Sequence, residues 1–285
     1  MFFVSAQKEK SKNGTLEYEP LSLKSIRASI HRYLKDKQYD GNIMVDDEFY
    51  KSRQALTAKF KELKSLGMGN QPNAADPLTD IEINKFYDNL LGADNPRALQ
   101  NTIYINNNYH FGLRGVTEHY NLCWTHMVTS IYNTVKRDKQ KTRQGDNIGN
   151  IRKSGPIPME NKSDRTRCPV LAFKLFSLKR PENMKTTDSP FYIQATIFQD
   201  DNIKSKTFWY KNLRLGVKSI SKIIKSMAKV SLPESNKKLT ENSARKGVIQ
   251  KKKDTGIQDT EIVQRTGHKN INSLLSYSRT SLEQQ

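Results

Sequence analysis

A mostly α fold with a small β-sheet, an α+β arrangement in two units, is what the amino-acid sequence predicts, on three observations. At 285 residues the chain exceeds one average domain and falls short of three. Residues 67–77, GMGNQPNAADP, gather the turn formers of a linker. On either side the apolar residues recur with helical spacing, interrupted by two short runs of β-formers, Met127 to Val135 and Phe191 to Phe198, so the order is helices, a small sheet, then helices. Hydrophobic content of 35% is low, but 12 Tyr, 11 Phe and 2 Trp supply large side chains for a core.

Residues 1–19 read as a flexible leader rich in Lys, Asn and Gly. Ser22 can cap a first helix that places Leu23, Ile26, Ile30, Tyr33 and Leu34 on one face and Lys24, Arg27, Arg32 and Lys35 on the rest. Asp46 or Asp47 opens a second, with Phe49, Leu56, Phe60 and Leu63 inward and a stop near Gly67 and Gly69. Residues 20–70 therefore form a small helical unit with a basic outer face, and 71–285 form the larger unit.

In the larger unit Thr79 and Glu82 make a capping box, with Leu78 and Ile83 as its hydrophobic staple. Pro96 sits in the first turn of a helix whose buried stripe is Leu99, Ile103 and Tyr104, and helix resumes around Glu118 to Trp124. From Met127 to Val135 the pattern turns β-like, Lys136 to Gly145 reads as a hairpin tip, and 146–168 as a loop. Phe191 to Phe198 is the extended run. Leu215 to Met227 is an amphipathic helix, with Val217, Ile220, Ile223, Ile224 and Met227 inside and Lys218, Lys222 and Lys225 outside. Helices are expected from about Thr240–Asn242 through Arg245, and over Asp259 to Arg265. Ile271, Leu274 and Leu275 anchor a last one that carries Tyr277.

The charge balance narrows the function. Lys+Arg 48 against Asp+Glu 29 leaves +19, and residues 204–253 carry a dense block of lysines opposed only by Glu234 and Glu241. Such a block tracks a polyanion, and a phosphate backbone that releases counterions is the commonest one. Cys123 and Cys168 are too few for a disulfide framework or a Cys/His zinc cluster. No signal-peptide h-region is visible, and no apolar run approaches the roughly 18 residues of a membrane span. The expectation is an intracellular, basic protein without a membrane span or a Cys/His zinc cluster.

Five separated boxes carry the chemistry: Gly112-Leu113-Arg114, the QKTRQG segment with Lys141, the NSAR segment Asn242 to Arg245, Gly267-His268, and Tyr277 nine positions after His268. Taken singly, each has a bland reading: a capping arginine, a hairpin lysine, a salt-bridge arginine, a polar cap, a packing tyrosine. In this order they resemble the tyrosine recombinase (phage integrase-like) superfamily. FGLRG, CPV at 168–170, FWY at 208–210, LG at 215–216 and SARK at 243–246 are similar to its eukaryotic branch, the Crypton-type recombinases and the recombinase-derived domain of zinc finger MYM-type proteins and glutamine-rich protein 1.

The resemblance covers about residues 20 to 280. It implies a small core-binding-like domain over 20–70 that touches DNA, followed by a recombinase-like catalytic domain over 71–285. It also implies the chemistry: Arg114 and Arg245 meet the charge on a scissile phosphate with forked donors, and Tyr277 attacks to form a 3′-phosphotyrosine link. Lys141 protonates the leaving oxygen, and His268 hydrogen-bonds the phosphate or orients the nucleophile. No cofactor takes part. Double-stranded DNA is the implied partner, with self-association on it, in the nucleus, and Arg27, Lys136, Arg143, Lys211, Lys246 and Lys269 are the expected DNA-contacting cations. Two positions depart from the pattern. Asn242 stands where the family has histidine and cannot accept and return a proton near neutral pH. Thr117 replaces an acid that follows the first arginine. Two functions follow: DNA strand cutting and rejoining for integration or recombination, or a catalytically impaired, host-adopted DNA-binding or chromatin module of the same fold.

Overall fold

The computed structural model describes residues 5–9, 16–69, 75–113, 115–127, 158–199, 202–266, 271 and 274. The chain divides into two compact units, Met1–Ala74 and Ala75–Gln285.

Among the described residues the N-terminal unit pairs two helices, α1 (Pro20–Asp36) and α2 (Tyr50–Ser65), the second entered through a single 3-10 turn at Asp47–Phe49. α1 starts earlier than a Ser22 cap implies. Pro20 occupies its first turn, where the missing N–H costs nothing and the fixed φ already suits a helix. α2 closes with a Schellman pattern: Met68 N–H donates to Leu63 C=O (2.9 Å) and Gly67 N–H to Lys64 C=O (3.0 Å), with Gly67 at φ +77°. Leu23, Leu56 and Leu63 form the buried centre, with Ile26 and Phe60 packed against it. Tyr33, expected in the stripe, is 61% exposed, because this centre reaches only part of the way along α1. Lys59 is buried between Glu17 (3.2 Å) and Glu62 (3.4 Å), which holds its ammonium charged against desolvation and raises its pKa.

The larger unit opens with α3 (Asp80–Asn89), whose start is the expected box: Thr79 Oγ1 accepts from Glu82 N–H (3.3 Å) and Glu82 Oε2 from Thr79 N–H (2.8 Å). α4 (Pro96–Phe111) is capped by Asn95, whose side chain accepts from Ala98 N–H (2.8 Å), and most of its residues are buried. Gly112 ends it at φ +59°, and α5 (Gly115–Tyr120) follows. The β-like reading from Met127 is corrected at its first residue. Residues 124–127 are helical, and Trp124 and Met127, three apart, are buried together as a helix requires. Residues 128–135 and the hairpin expected at 136–145 lie outside the described residues. Of the stretch read as a loop, 158–164 is irregular and Arg165–Arg167 is a 3-10 turn capped by Asp164.

α6 (Pro169–Leu178) packs on α4. The extended run is realised as β1 (Ile193–Ala195), antiparallel to β2 (Tyr210–Arg214), with Ile193 opposite Arg214 and Ala195 opposite Tyr210. β2 thus sets more residues than β1 between these pairs, and its Lys211, Asn212 and Leu213 stand exposed. α7 (Val217–Ser231) buries Ile220, Ile223, Ile224 and Met227 as expected, but Val217 at its first turn is 49% exposed. α8 (Ser243–Asp254) and α9 (Asp259–Thr266) complete the described helices; Leu274 is buried against Ile249 and Ile262, whereas Ile271 is 45% exposed.

Arg180 is fully buried in the aromatic core. Its guanidinium donates to the carbonyls of Met184 (2.7 Å), Phe191 (2.6 Å) and Pro190 and lies over the Trp124 ring, 4.5 Å from its centre. Desolvation pulls its pKa down to about 9.

Candidate functional site

α8 carries the centre of the site. Arg245 lies in its first turn, 3% exposed, and reaches two distant parts of the chain. One terminal nitrogen donates to the Gly112 carbonyl, the other to the Thr266 carbonyl at 2.7 Å. A planar fork with donors on both arms can serve two carbonyls at once, which an ammonium on a flexible stem does less well. Gly112 leaves room for this: a Cβ built there would come within 3.2 Å of Arg245 Nη1 and 3.5 Å of Thr266 Cα, and its φ of +59° suits glycine.

Asn242 sits next to the same turn. Its Oδ1 lies 3.8 Å from where a Cβ on Gly115 would stand. The residue is exposed, at the N-cap of α8, but its helical φ and ψ (−87° and −13°) keep its side chain from capping. The nearby Ser243 hydroxyl accepts from Thr240 N–H instead (2.9 Å). The structure therefore brings Gly112, Arg245 and Thr266 together, with Asn242 beside Gly115; of the five boxes, Gly112 and Leu113 of the first and Asn242 to Arg245 of the third lie among the described residues. Arg114, Lys141, His268 and Tyr277 lie outside the described residues, as do Lys136, Arg143 and Lys269.

A buried polar network joins α4 and α5, the helices on either side of this turn, and sequence reasoning did not find it. His119 on α5 is fully buried, stacked on Tyr104 at 4.3 Å, with Nδ1 3.0 Å from the Tyr192 hydroxyl and Nε2 3.4 Å from Asn108 Oδ1. Asn107 Nδ2 donates to the same Tyr192 hydroxyl at 2.7 Å. Burial raises the pKa of Tyr104, so its phenol stays neutral. The only sequence signal was the run Asn106-Asn107-Asn108 inside an otherwise buried helix. Near the end of α4, burial and the Lys252 charge lower the pKa of His110.

The remaining expected cations lie on separate elements. Lys211 is exposed on β2, Lys246 is half-buried and donates to the Ala75 carbonyl (2.7 Å), and Arg27 is half-buried on α1 of the N-terminal unit. The outer face of α7 is a stripe that the sequence reading gave three members: Lys218, Lys222 and Lys225, extended by Lys229, all exposed, on a helix without a single acid. Among the described residues no group of three or more His, Cys, Asp or Glu could hold a metal ion. Among them, too, no helix is long and apolar enough to cross a membrane.

The family described as a domain of unknown function, DUF3504, matches residues 86–229. Zinc finger MYM-type protein 2 of Homo sapiens is 25% identical over 222 residues, which is 70% of this chain and 15% of that protein. The uncharacterized protein KIAA1958 of Homo sapiens is 25% identical over 244 residues, covering 80% of this chain and 32% of its own length. The chain thus spans under a third of the length of either relative. The similarity to zinc finger MYM-type proteins is the one expected from FGLRG, CPV, FWY and SARK. Among solved structures, XerA recombinase is similar at 14% identity and TM-score 0.45, over 99% of this chain and 83% of that one. The Tn1549 transposon integrase in complex with transposon right end DNA is similar at 15% identity and TM-score 0.45, over 97% and 87%.

Proposed function

The chain belongs to the DUF3504 family, and we propose that it is a recombinase-derived module that binds double-stranded DNA and whose strand-cutting chemistry is impaired. The observation that carries this reading is the bridging of Gly112 and Thr266 by Arg245, which joins parts of two boxes that resemble the recombinase pattern to the residue that precedes Gly267-His268, over more than 150 positions of the sequence. The lysine stripe on α7 and a net charge of +19 favour a phosphate backbone as the partner. Residues 20–70 would be the core-binding-like part and 71–285 the recombinase-like part, acting in the nucleus and associating with further copies on DNA. Impairment rests on Asn242: an exposed amide beside the Gly112–Gly115 turn can hydrogen-bond a phosphate but cannot carry a proton for the reaction.

The second reading, an active strand-transfer enzyme, is favoured by the presence in the sequence of Arg114, Lys141, Arg245, His268 and Tyr277. In it the two arginines hold the phosphate, Lys141 protonates the leaving oxygen, and Tyr277 forms the covalent link, with no metal required of the mechanism.

Fluorescence anisotropy with a labelled duplex tests the first reading. Affinity should fall steeply from 50 to 200 mM salt, by roughly a thousandfold or more if six or more phosphates are met. Replacing Lys218, Lys222, Lys225 and Lys229 with Gln should then flatten the slope of log K against log salt by about 3 to 4. An affinity indifferent to salt removes DNA as the partner. Incubation with a bridging-phosphorothioate duplex, followed by denaturing electrophoresis, decides the chemistry. No adduct is expected, and one formed by the wild type but not by Tyr277→Phe replaces the first reading with the second.

A further inference from the structure

The residues that lead into the larger unit are fastened to both sides of Arg245. Asp76 makes a reciprocal pair with Lys238: its N–H donates to the Lys238 carbonyl (3.0 Å), and its Oδ2 accepts from the Lys238 N–H (2.8 Å). Leu78 N–H donates to the carbonyl of Ser243 (3.1 Å), a fully buried residue two positions before Arg245. One position after Arg245, Lys246 Nζ donates to the Ala75 carbonyl (2.7 Å). The next residue, Gly247, packs so closely that a Cβ there would overlap the Leu78 carbonyl oxygen. Residues 75–77 belong to a stretch with the composition of a linker, yet these hydrogen bonds of residues 75–78 all fall on the single segment 238–247.

We propose that residues 75–78 are a strap that sets the position of Arg245, with Asp76 as its positioning residue. The chain arriving from the N-terminal unit enters the larger unit at Ala75, so the first thing it meets is the turn that holds this arginine. Through Arg245 the strap reaches Gly112 and Thr266, the two carbonyls that the guanidinium joins. A displacement of the strap shifts the first turn of α8, and with it the fork that joins Gly112 to Thr266. Asp76 does not touch the phosphate; it acts on it only through Arg245. The DNA arm of this inference rests on the proposed function, whereas the link from Asp76 to Gly112 and Thr266 stands without it.

Hydrogen exchange on the 285-residue chain, read by mass spectrometry without DNA, tests the link. Asp76→Ala removes the acceptor, and Asp76→Asn keeps one in the same place. Exchange in Asp76→Ala should rise about tenfold not only over 75–78 and 238–247 but also at 112–113 and 262–266, which corresponds to about 1.4 kcal/mol of local opening. Asp76→Asn should stay near wild type. A rise confined to 75–78 and 238–240 overturns the proposal, because the strap is then only a local fastening. Should Asp76→Ala fail to fold, Asp76→Ser, which lengthens the contact instead of abolishing it, is read at the same sites with the same two outcomes. In parallel, duplex affinity should fall about tenfold in Asp76→Ala and recover in Asp76→Asn. If the wild type binds no duplex, the proposed function fails while the exchange pattern still decides the strap.

Discussion

Arg245 Nη2 and the Thr266 carbonyl oxygen lie 2.7 Å apart across 21 positions of sequence, in a place where Arg245 is 3% exposed. A buried guanidinium is costly unless its donors are met, and here two backbone carbonyls, from the end of α4 and the end of α9, meet two of them. The two contacts therefore fasten α4, α8 and α9 to one another.

Arg245→Lys keeps the charge and loses the fork. One ammonium cannot reach both carbonyls with the same geometry, so one carbonyl is left unmet in a buried place, at a cost of about 2 kcal/mol. Urea denaturation followed by far-ultraviolet circular dichroism should show an earlier midpoint with an unchanged slope. A midpoint equal to the wild type would mean that the fork does not hold these helices.

Gly247→Ala separates helix propensity from packing. In an exposed helix interior the change gains about 1 kcal/mol. At this position the new Cβ would run into the Leu78 carbonyl, with the Leu78 carbonyl carbon at 3.1 Å, and both are backbone atoms that cannot swing aside. The overlap forces α8 away from the strap and should cost more than the propensity returns, giving a net loss of about 1–3 kcal/mol. Gly216→Ala, with nothing within 4 Å of its Cβ and an ordinary negative φ, is the control and should leave the thermal midpoint within error of wild type.

Features governed by local rules were legible in the sequence. The Thr79–Glu82 capping box, Pro96 in the first turn of α4 and the apolar stripe of α7 each depend on residues within a few positions of one another. Errors came where tertiary contact overrides the local pattern. Tyr33 and Val217 have the right spacing for burial but lie where no core reaches, and Met127 fits either a helical or an alternating pattern until Trp124 is seen to be buried beside it. Arg180 could not be read at all, because its partners are the backbone carbonyls of residues 184, 190 and 191, which any residue at those positions would offer whatever its side chain. The site divides in the same way. Arg245 stood out through the spacing of the boxes, while the carbonyls it bridges and the Asp76 strap, which the composition of 67–77 presented as slack chain, follow only from the fold.

His110 gives the fold a dependence on pH. Burial, and then the charge of Lys252, hold its pKa below the ordinary value of about 6.5 that it regains on unfolding. Between the lowered folded value and the unfolded one, the unfolded chain binds the proton and the folded chain does not, so stability rises with pH across that window. Above about pH 6.5 both states are neutral at this position and the contribution is flat. As the pH falls below it, the wild type should lose stability, and His110→Gln, which cannot be protonated, should lose less over the same range. Thermal midpoints of the two proteins measured from pH 7.5 down to pH 5 check this. Parallel curves would show that His110 takes up its proton as readily in the fold as outside it, against the burial seen at the end of α4.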